Sequence, residues 1–388
     1  MKDWFKLSLE YHKKYKGKLA ICNKAPLENS DDLSLSYTPG VAAACEAIKD
    51  DVKQADLLTV KGNAIAIVTD GSAVLGLGDI GPEAAMPVME GKAVLFKKFA
   101  DIDAWPICLR CQDVDSIVAT IKNIAPGFGG INLEDIAAPK CFEVEERLQD
   151  LGIPVFHDDQ HGTAIVVMAA LINACRVTGK RFDELNVVIS GAGAAGNAIA
   201  KILSKSGEAA AWAVREIIVC DSKGAIYKGR EGLNDSKAHL ATFTNPLKIQ
   251  GSLKEVLRGK DVFIGVSRPG LLDSQDIKSM SDKPFVFALA NPDPEIMPEE
   301  AMKGGAEIYA SGRSDFSNQV NNALVFPGIF RGALDAKSLR ISSKMKLAAA
   351  LALANSLENP QLNKILPALF NFNVPKEIAK AVQEAASS

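Results

Sequence analysis

Residues 187–203 read VVISGAGAAGNAIAKIL. An apolar run ends in Gly191-x-Gly193-x-x-Gly196 and continues as an alanine-rich segment with helical spacing. A strand, a tight turn and a helix in that order form a dinucleotide-binding unit. Gly191 permits the turn, Gly193 lets the backbone approach a pyrophosphate, and Gly196 permits close helix packing. Ala194 and Ala195 open the helix, whose free N–H groups and dipole favour the pyrophosphate charge. The next apolar run, EIIVCDSKG, ends at Asp221, where a carboxylate takes the adenosine ribose. Such a carboxylate favours NAD over NADP, although Ser222 and Lys223 follow at once and offer the opposite.

Outward from this unit, strands and helices alternate on both sides. Upstream, GNAIAIVTDG, DAWPICLRC, FGGINLED and IPVFHDD read as strands, separated by helical segments. Downstream, GKDVFIGVSRPG, PFVFALANPDPE and AEIYASG read as buried strands, and KMKLAAALALANSL as a strong helix. The pattern predicts α/β architecture with parallel sheets. The break falls near residue 160, giving an α/β domain over 1–160 and a Rossmann-like NAD(P)-binding domain over 161–388. Helices from about residue 340 are expected to pack back on the first domain.

The 388 residues are 47% hydrophobic and 23% charged, and 44 basic against 47 acidic side chains leave a net charge of −3. Such a chain can build large cores and has no basic excess for nucleic acid. The first 20 residues lack the apolar core of a leader, and no apolar run of about 18 residues is apparent. Scattered cysteines fit reduced thiols. A cytoplasmic protein without membrane or nucleic-acid partners is expected.

Two acidic doublets stand at predicted strand ends: Glu134-Asp135 in GGINLEDIAAPK and Asp158-Asp159 in FHDDQHG. Strand ends cluster at the ligand crevice of an open sheet. Carboxylates converging there repel one another unless a cation intervenes, and oxygen ligands suit Mg²⁺ or Mn²⁺. Each doublet alone also reads as a helix cap. In FHDDQHG the strand is expected to run through the aspartates, so that neighbours face opposite ways, with Gly162 separating it from the next helix. His157 and His161 are then structural, and zinc is set aside. Lys92, in VMEGKAVLFKK, has apolar neighbours; burial would lower its pKa toward that of a general base. Tyr37, in LSYTPGV, alone reads as packing.

Taken together, these motifs resemble the malic enzymes in their short prokaryotic form. The similarity is carried by SYTPGVA (36–42), VTDGSAVLGLGDIGPEAAMPVMEGKAVLFKKFA (68–100), GGINLEDIAAPKCFEVE (129–145), PVFHDDQHGTA (154–164), GAGAAG (191–196), FALANPDPE (287–295) and SDFSNQVNNALVFPGIFRGALD (314–335). It runs from about residue 15 onward, and no further phosphotransacetylase-like segment is expected. The resemblance implies metal-dependent oxidative decarboxylation of L-malate to pyruvate and CO₂ with reduction of NAD(P)⁺. It implies Tyr37 as general acid and Lys92 as general base with Asp158 as its carboxylate partner. Glu134, Asp135 and Asp159 become metal ligands, Asn291, Asn321 and Asn322 substrate contacts, with Asn291 also near the cofactor. A homodimer is implied, with the N-terminal helix packing on the partner. One departure is Ala73, where longer family members carry an arginine that holds a substrate carboxylate. Backbone N–H groups of the 70–79 turn are one candidate replacement, and Arg331 or another arginine is a second. A metal-free amino-acid dehydrogenase and a non-catalytic dinucleotide sensor are the alternative readings.

Overall fold

The computed structural model describes residues 3–74, 76–205 and 212–387. Two sheets organise it. The first is fully parallel, in the order β2-β1-β3-β4, from β1 (Ala64–Thr69), β2 (Asp103–Cys108), β3 (Gly130–Leu133) and β4 (Val155–His157). The second comprises β5 (Asn186–Ser190), β6 (Glu216–Asp221), β7 (Gly224–Ala225), β8 (Val262–Gly265), β9 (Phe285–Ala288) and β10 (Ile308–Ser311), in the order β10-β9-β8-β5-β6-β7. Only β7 is antiparallel.

Except at the edge strand β2, which is only half-buried, both faces of these strands are covered, which is why they read as unbroken apolar runs rather than alternating ones. In β1, Ile65 and Ile67 face one core while Ala66 and Val68 face another. In β8, Val262 and Ile264 face inward and Phe263 outward. The inward faces of the two sheets share a single large core. Its axis is the helix Asp158–Thr178, buried without interruption from Ala164 to Cys175. This helix has no polar stripe because it has no solvent side. By length and hydropathy it would suffice to cross a bilayer, contrary to the expectation above, but 72% of its apolar window is buried inside the protein.

The C-terminal segment closes this core. Asn173 is fully buried in the central helix and donates to the carbonyls of Ala354 (3.0 Å) and Ile365 (2.9 Å). The helix Val374–Ala386 packs on Phe326–Asp335 and on Ser343–Asn355. Phe370 and Phe372 reach the first domain at Phe99, with ring centroids 6.0 and 5.5 Å away. The N-terminal segment behaves differently. The helices Trp4–Tyr15, Ser30–Ser36 and Val41–Asp50 bury no residue, and Trp4, Phe5, Ile21, Leu35 and Val52 are all exposed. The segment is anchored by Lys18 on Pro87 and Glu90, and by Lys24 on Asp103.

Replacing Asn173 by Leu keeps the bulk but strands the buried Ile365 carbonyl and leaves that of Ala354 to Arg176 alone, at 3.3 Å. The expected loss is about 2 kcal/mol, seen as an earlier urea midpoint; an unchanged midpoint would show that the clamp contributes nothing.

Candidate active site

The parallel register of the first sheet aligns Val68 with Leu133 and Leu133 with His157, so β1, β3 and β4 end side by side. The residues that follow those ends are Asp70, Glu134–Asp135 and Asp158–Asp159. The two acidic doublets therefore converge because their strands are neighbours. Carboxylate oxygens of Glu134, Asp135 and Asp159 lie within 4.8 Å of one another. The Asp135 N–H donates to Asp159 at 2.8 Å, and Asp135 holds the left-handed conformation at φ 53°. That conformation is uncommon outside glycine, and aspartate tolerates it better than most residues.

Lys92 reaches this cluster from the helix Pro82–Ala100. Its ammonium pairs with Glu134 at 3.0 Å and with Asp158, and it lies 4.4 Å from the centroid of the Phe326 ring. Asn322 donates to Asp158 at 2.6 Å, and Asn132, two residues before Glu134 on the same strand face, donates to Glu134 at 2.9 Å. The structure thus brings together Lys92, Glu134, Asp135, Asp158, Asp159 and Asn322.

Lys92 departs from the expectation. Burial acts to lower its pKa, but the charges of Asp158, Glu134 and Asp159 outweigh it and hold the ammonium well above its usual range. Glu134 is displaced upward, first by burial and then by the neighbouring carboxylates, against the pull of Lys92. Four carboxylates around one ammonium leave negative charge unbalanced. An all-oxygen donor set of this kind fits a hard divalent cation, which would be held by Glu134, Asp135 and Asp159.

The FHDDQHG stretch is also arranged differently from its sequence reading. Strand β4 ends at His157 and the central helix begins at Asp158. Successive helical residues are turned about 100° apart, which separates Asp158, facing Lys92, from Asp159, facing Glu134 and Asp135. Gly162 lies inside this helix, not before it. A Cβ there would stand 1.9 Å from an Asp158 carboxylate oxygen and 3.2 Å from Asn322 Cβ. Gly162 is the space into which the Asp158 carboxylate fits. His161 turns away from the cluster and its Nε2 meets both Glu145 oxygens at 2.8 and 2.9 Å. Burial pulls the His161 pKa down to about 4, so its neutral ring donates to an ionised Glu145. His157 is fully buried, with its Nδ1 3.8 Å from Asp159.

Other expected residues stand elsewhere. Tyr37 caps the helix Ser30–Ser36, is 67% exposed, and makes no side-chain hydrogen bond to the Lys92 cluster among the described residues. Asn321 turns its side chain to Ala323 N and caps its own short turn. Asn291 is exposed, with its carbonyl against Gly76 and its amide against Gly312. Arg331 does not replace the arginine missing at Ala73. Its guanidinium is held by Asn63 (2.7 Å) and Asp335 (2.6 Å), at the opposite end of β1 from the carboxylates. Within the 70–79 turn, the N–H groups of Gly71, Ser72, Ala73, Val74 and Leu77 already have partners inside the protein.

The dinucleotide groove lies at the edge of the second sheet where β5 is flanked by β6 and β8, the point at which strand order reverses. A cavity of about 770 Å³ is lined there by Ser190–Gly193, Cys220–Gly224, Lys237 and Arg268. Gly191 has φ 119°, and a Cβ at Gly196 would stand 1.8 Å from the Gly191 carbonyl oxygen, whereas one at Gly193 would meet nothing within 4 Å. Asp221 carries partners the sequence reading missed: Arg230 at 2.5 Å and Lys237 at 2.8 Å. Burial acts to raise its pKa, but hydrogen bonds from Arg230 and Lys237 bring it down to about 2.

Replacing Gly162 by Ala forces the Asp158 carboxylate out of place. Because misplacing a reacting group by about 1 Å can cost about 100-fold in rate, a fall in kcat of at least tenfold is expected in a variant with unchanged circular dichroism. Full activity would show that Asp158 tolerates displacement.

Residues 16–149 match the family described as malic enzyme, N-terminal domain, and residues 160–387 match malic enzyme, NAD binding domain. The chain is 54% identical over 383 residues to a bifunctional malic/malolactic enzyme of Bacillus subtilis, covering 98% of this chain and 92% of that one. It is 53% identical to an NAD-dependent malic enzyme of Geobacillus stearothermophilus, covering 95% and 77% of the two chains. Among solved structures, the NAD-dependent malic enzyme of Thermotoga maritima superposes with a TM-score of 0.92 at 47% identity, covering 97% of this chain and 98% of that one. The amino-acid dehydrogenase reading gives way to these matches. The chain belongs to the malic enzyme family, the NAD- or NADP-dependent oxidoreductases that decarboxylate malate oxidatively.

Proposed function

We propose that the protein converts L-malate to pyruvate and CO₂ with reduction of NAD⁺ or NADP⁺, and that it does so with a divalent metal. The observation that carries the reading is the convergence of Glu134, Asp135, Asp158 and Asp159 on Lys92. A metal bound by Glu134, Asp135 and Asp159 supplies Lewis acidity at substrate oxygen. We read Lys92 as the group that exchanges a proton with the C2 hydroxyl while hydride leaves C2 for the nicotinamide. Asp158 fixes the lysine, and Asn322 fixes Asp158. As found, the lysine is held protonated by its carboxylates, so it acts as a base only once part of their charge is engaged elsewhere. The Asp221 charge is already balanced by Arg230 and Lys237, so the groove does not present bare negative charge to a 2′-phosphate. We read it as open to both coenzymes.

Protein freed of metal by EDTA is expected to be inactive with L-malate and either coenzyme, and to regain pyruvate formation on adding Mn²⁺. D135N and D159N are expected to weaken Mn²⁺ binding at least tenfold by paramagnetic titration. Metal-independent pyruvate formation would refute the reading.

We also propose a homodimer in which the exposed N-terminal segment docks on a second copy. Support comes from the apolar side chains it leaves in solvent, a quantity that marks association surfaces. Tyr37 lies on the same segment, so the proton donor for C3 of the enolate reaches a lysine site through that docking. Y37F and K92A are each expected to be inactive. If the segment serves the partner's site, unfolding and refolding the two together restores about a quarter of native activity, because half the dimers are mixed and each has one intact site. No restored activity would place Tyr37 and Lys92 of one site on the same chain.

A further inference from the structure

A second cavity, of about 740 Å³, lies between the first turn of the central helix, the outer face of the helix Ala194–Leu203, the helix Asp235–Phe243 and the start of the helix Ser343–Asn355. It shares only Ser236 with the lining of the cofactor groove. Four basic side chains line it: Lys201, His239, Arg340 and Lys346. Among the described residues, none of the four makes an ion pair or a side-chain hydrogen bond. Of the four only Lys346 is part-buried, and part-buried lysines elsewhere are paired, as Lys180 is with Asp261 at 2.9 Å.

Two acids, Glu145 and Glu146, also line it, against the three cations Lys201, Arg340 and Lys346. Glu145 is occupied by His161 and, at 3.2 Å, by Gln160, and Glu146 is exposed at the rim. Lys346 is the innermost cation, 6.0 Å from the Phe156 ring centroid. Burial lowers its pKa to about 8 and Lys201 adds to that, while Glu145 opposes it. Ser342 and Ser343 bring the N-terminus of a 13-residue helix to the same wall. Its free N–H groups and dipole favour an anion.

We propose that this cavity is a second anion site, separate from the cofactor groove, that takes a phosphate-bearing small molecule. A guanidinium, two ammonium groups, an imidazole and the hydroxyls of Ser342 and Ser343 offer more donors than the two oxygens of one carboxylate accept. They match the several terminal oxygens of a phosphate. The volume is that of a small-molecule site. The wall residue His161 stands within one helical turn of Asp158, so the anion sits close to the catalytic lysine's partner.

The test is calorimetric titration of inorganic pyrophosphate into metal-free protein saturated with NAD⁺, so that the glycine-rich groove is filled. One pyrophosphate per chain is expected, bound at least tenfold more weakly by R340Q and by K346Q, and equally well by R230Q in the cofactor groove. Arg340 and Lys201 are exposed, so R340Q and K201Q test the site without disturbing the core. Absence of binding, its loss on saturation with NAD⁺, or unchanged affinity in R340Q, K201Q and K346Q would each overturn the proposal.

Discussion

The burial of one helix orders much of this molecule. Asp158–Thr178 is packed on every side by the inner faces of two sheets and by the C-terminal helices. Such a helix can begin only where its first turn finds polar partners, because its unpaired N–H groups and acidic side chains would otherwise be stranded in the core. Its first residues are Asp158 and Asp159. Asp158 is fully buried, and Lys92 and Asn322 supply its partners from helices that pack on the same core. The element that joins the two sheets is thus also the one that delivers carboxylates to the site.

The same logic explains why the carboxylate cluster around Lys92 is built from mutually repelling groups. Sheet register, not charge, places Glu134 beside Asp158. One ammonium tempers the repulsion, yet burial first and the neighbouring carboxylates after it still displace the Glu134 carboxyl upward. A polar cluster left short of positive charge stores the affinity for a cation. The cofactor groove is handled oppositely: its single carboxylate, Asp221, is fully paired by Arg230 and Lys237.

At the periphery the architecture is asymmetric. The C-terminal helices complete the core, with Asn173 fastening them by two hydrogen bonds to backbone. The N-terminal segment contributes no buried residue, yet it carries a dense set of apolar side chains and Tyr37. A segment that buries nothing on its own chain gains no stability from its apolar residues until another surface covers them.

The amino-acid sequence by itself determined the strands, since apolar runs buried on both faces announce themselves, and the glycine turn, since Gly191 and Gly196 occupy backbone positions that refuse a side chain. It also determined the acidic doublets, because residue types that follow strand ends are local information. Only the tertiary structure decided which of these groups meet. Lys92 and Asp158 are joined across 66 residues and Asp158 and Asn322 across 164, and no local periodicity encodes such pairings. The position of Gly162 inside the helix, the capture of Arg331 by Asn63 far from the carboxylates, and the rise rather than fall of the Lys92 pKa share one cause. Each depends on which neighbours packing brings within a few ångströms, and electrostatic and steric energies fall off over that same distance.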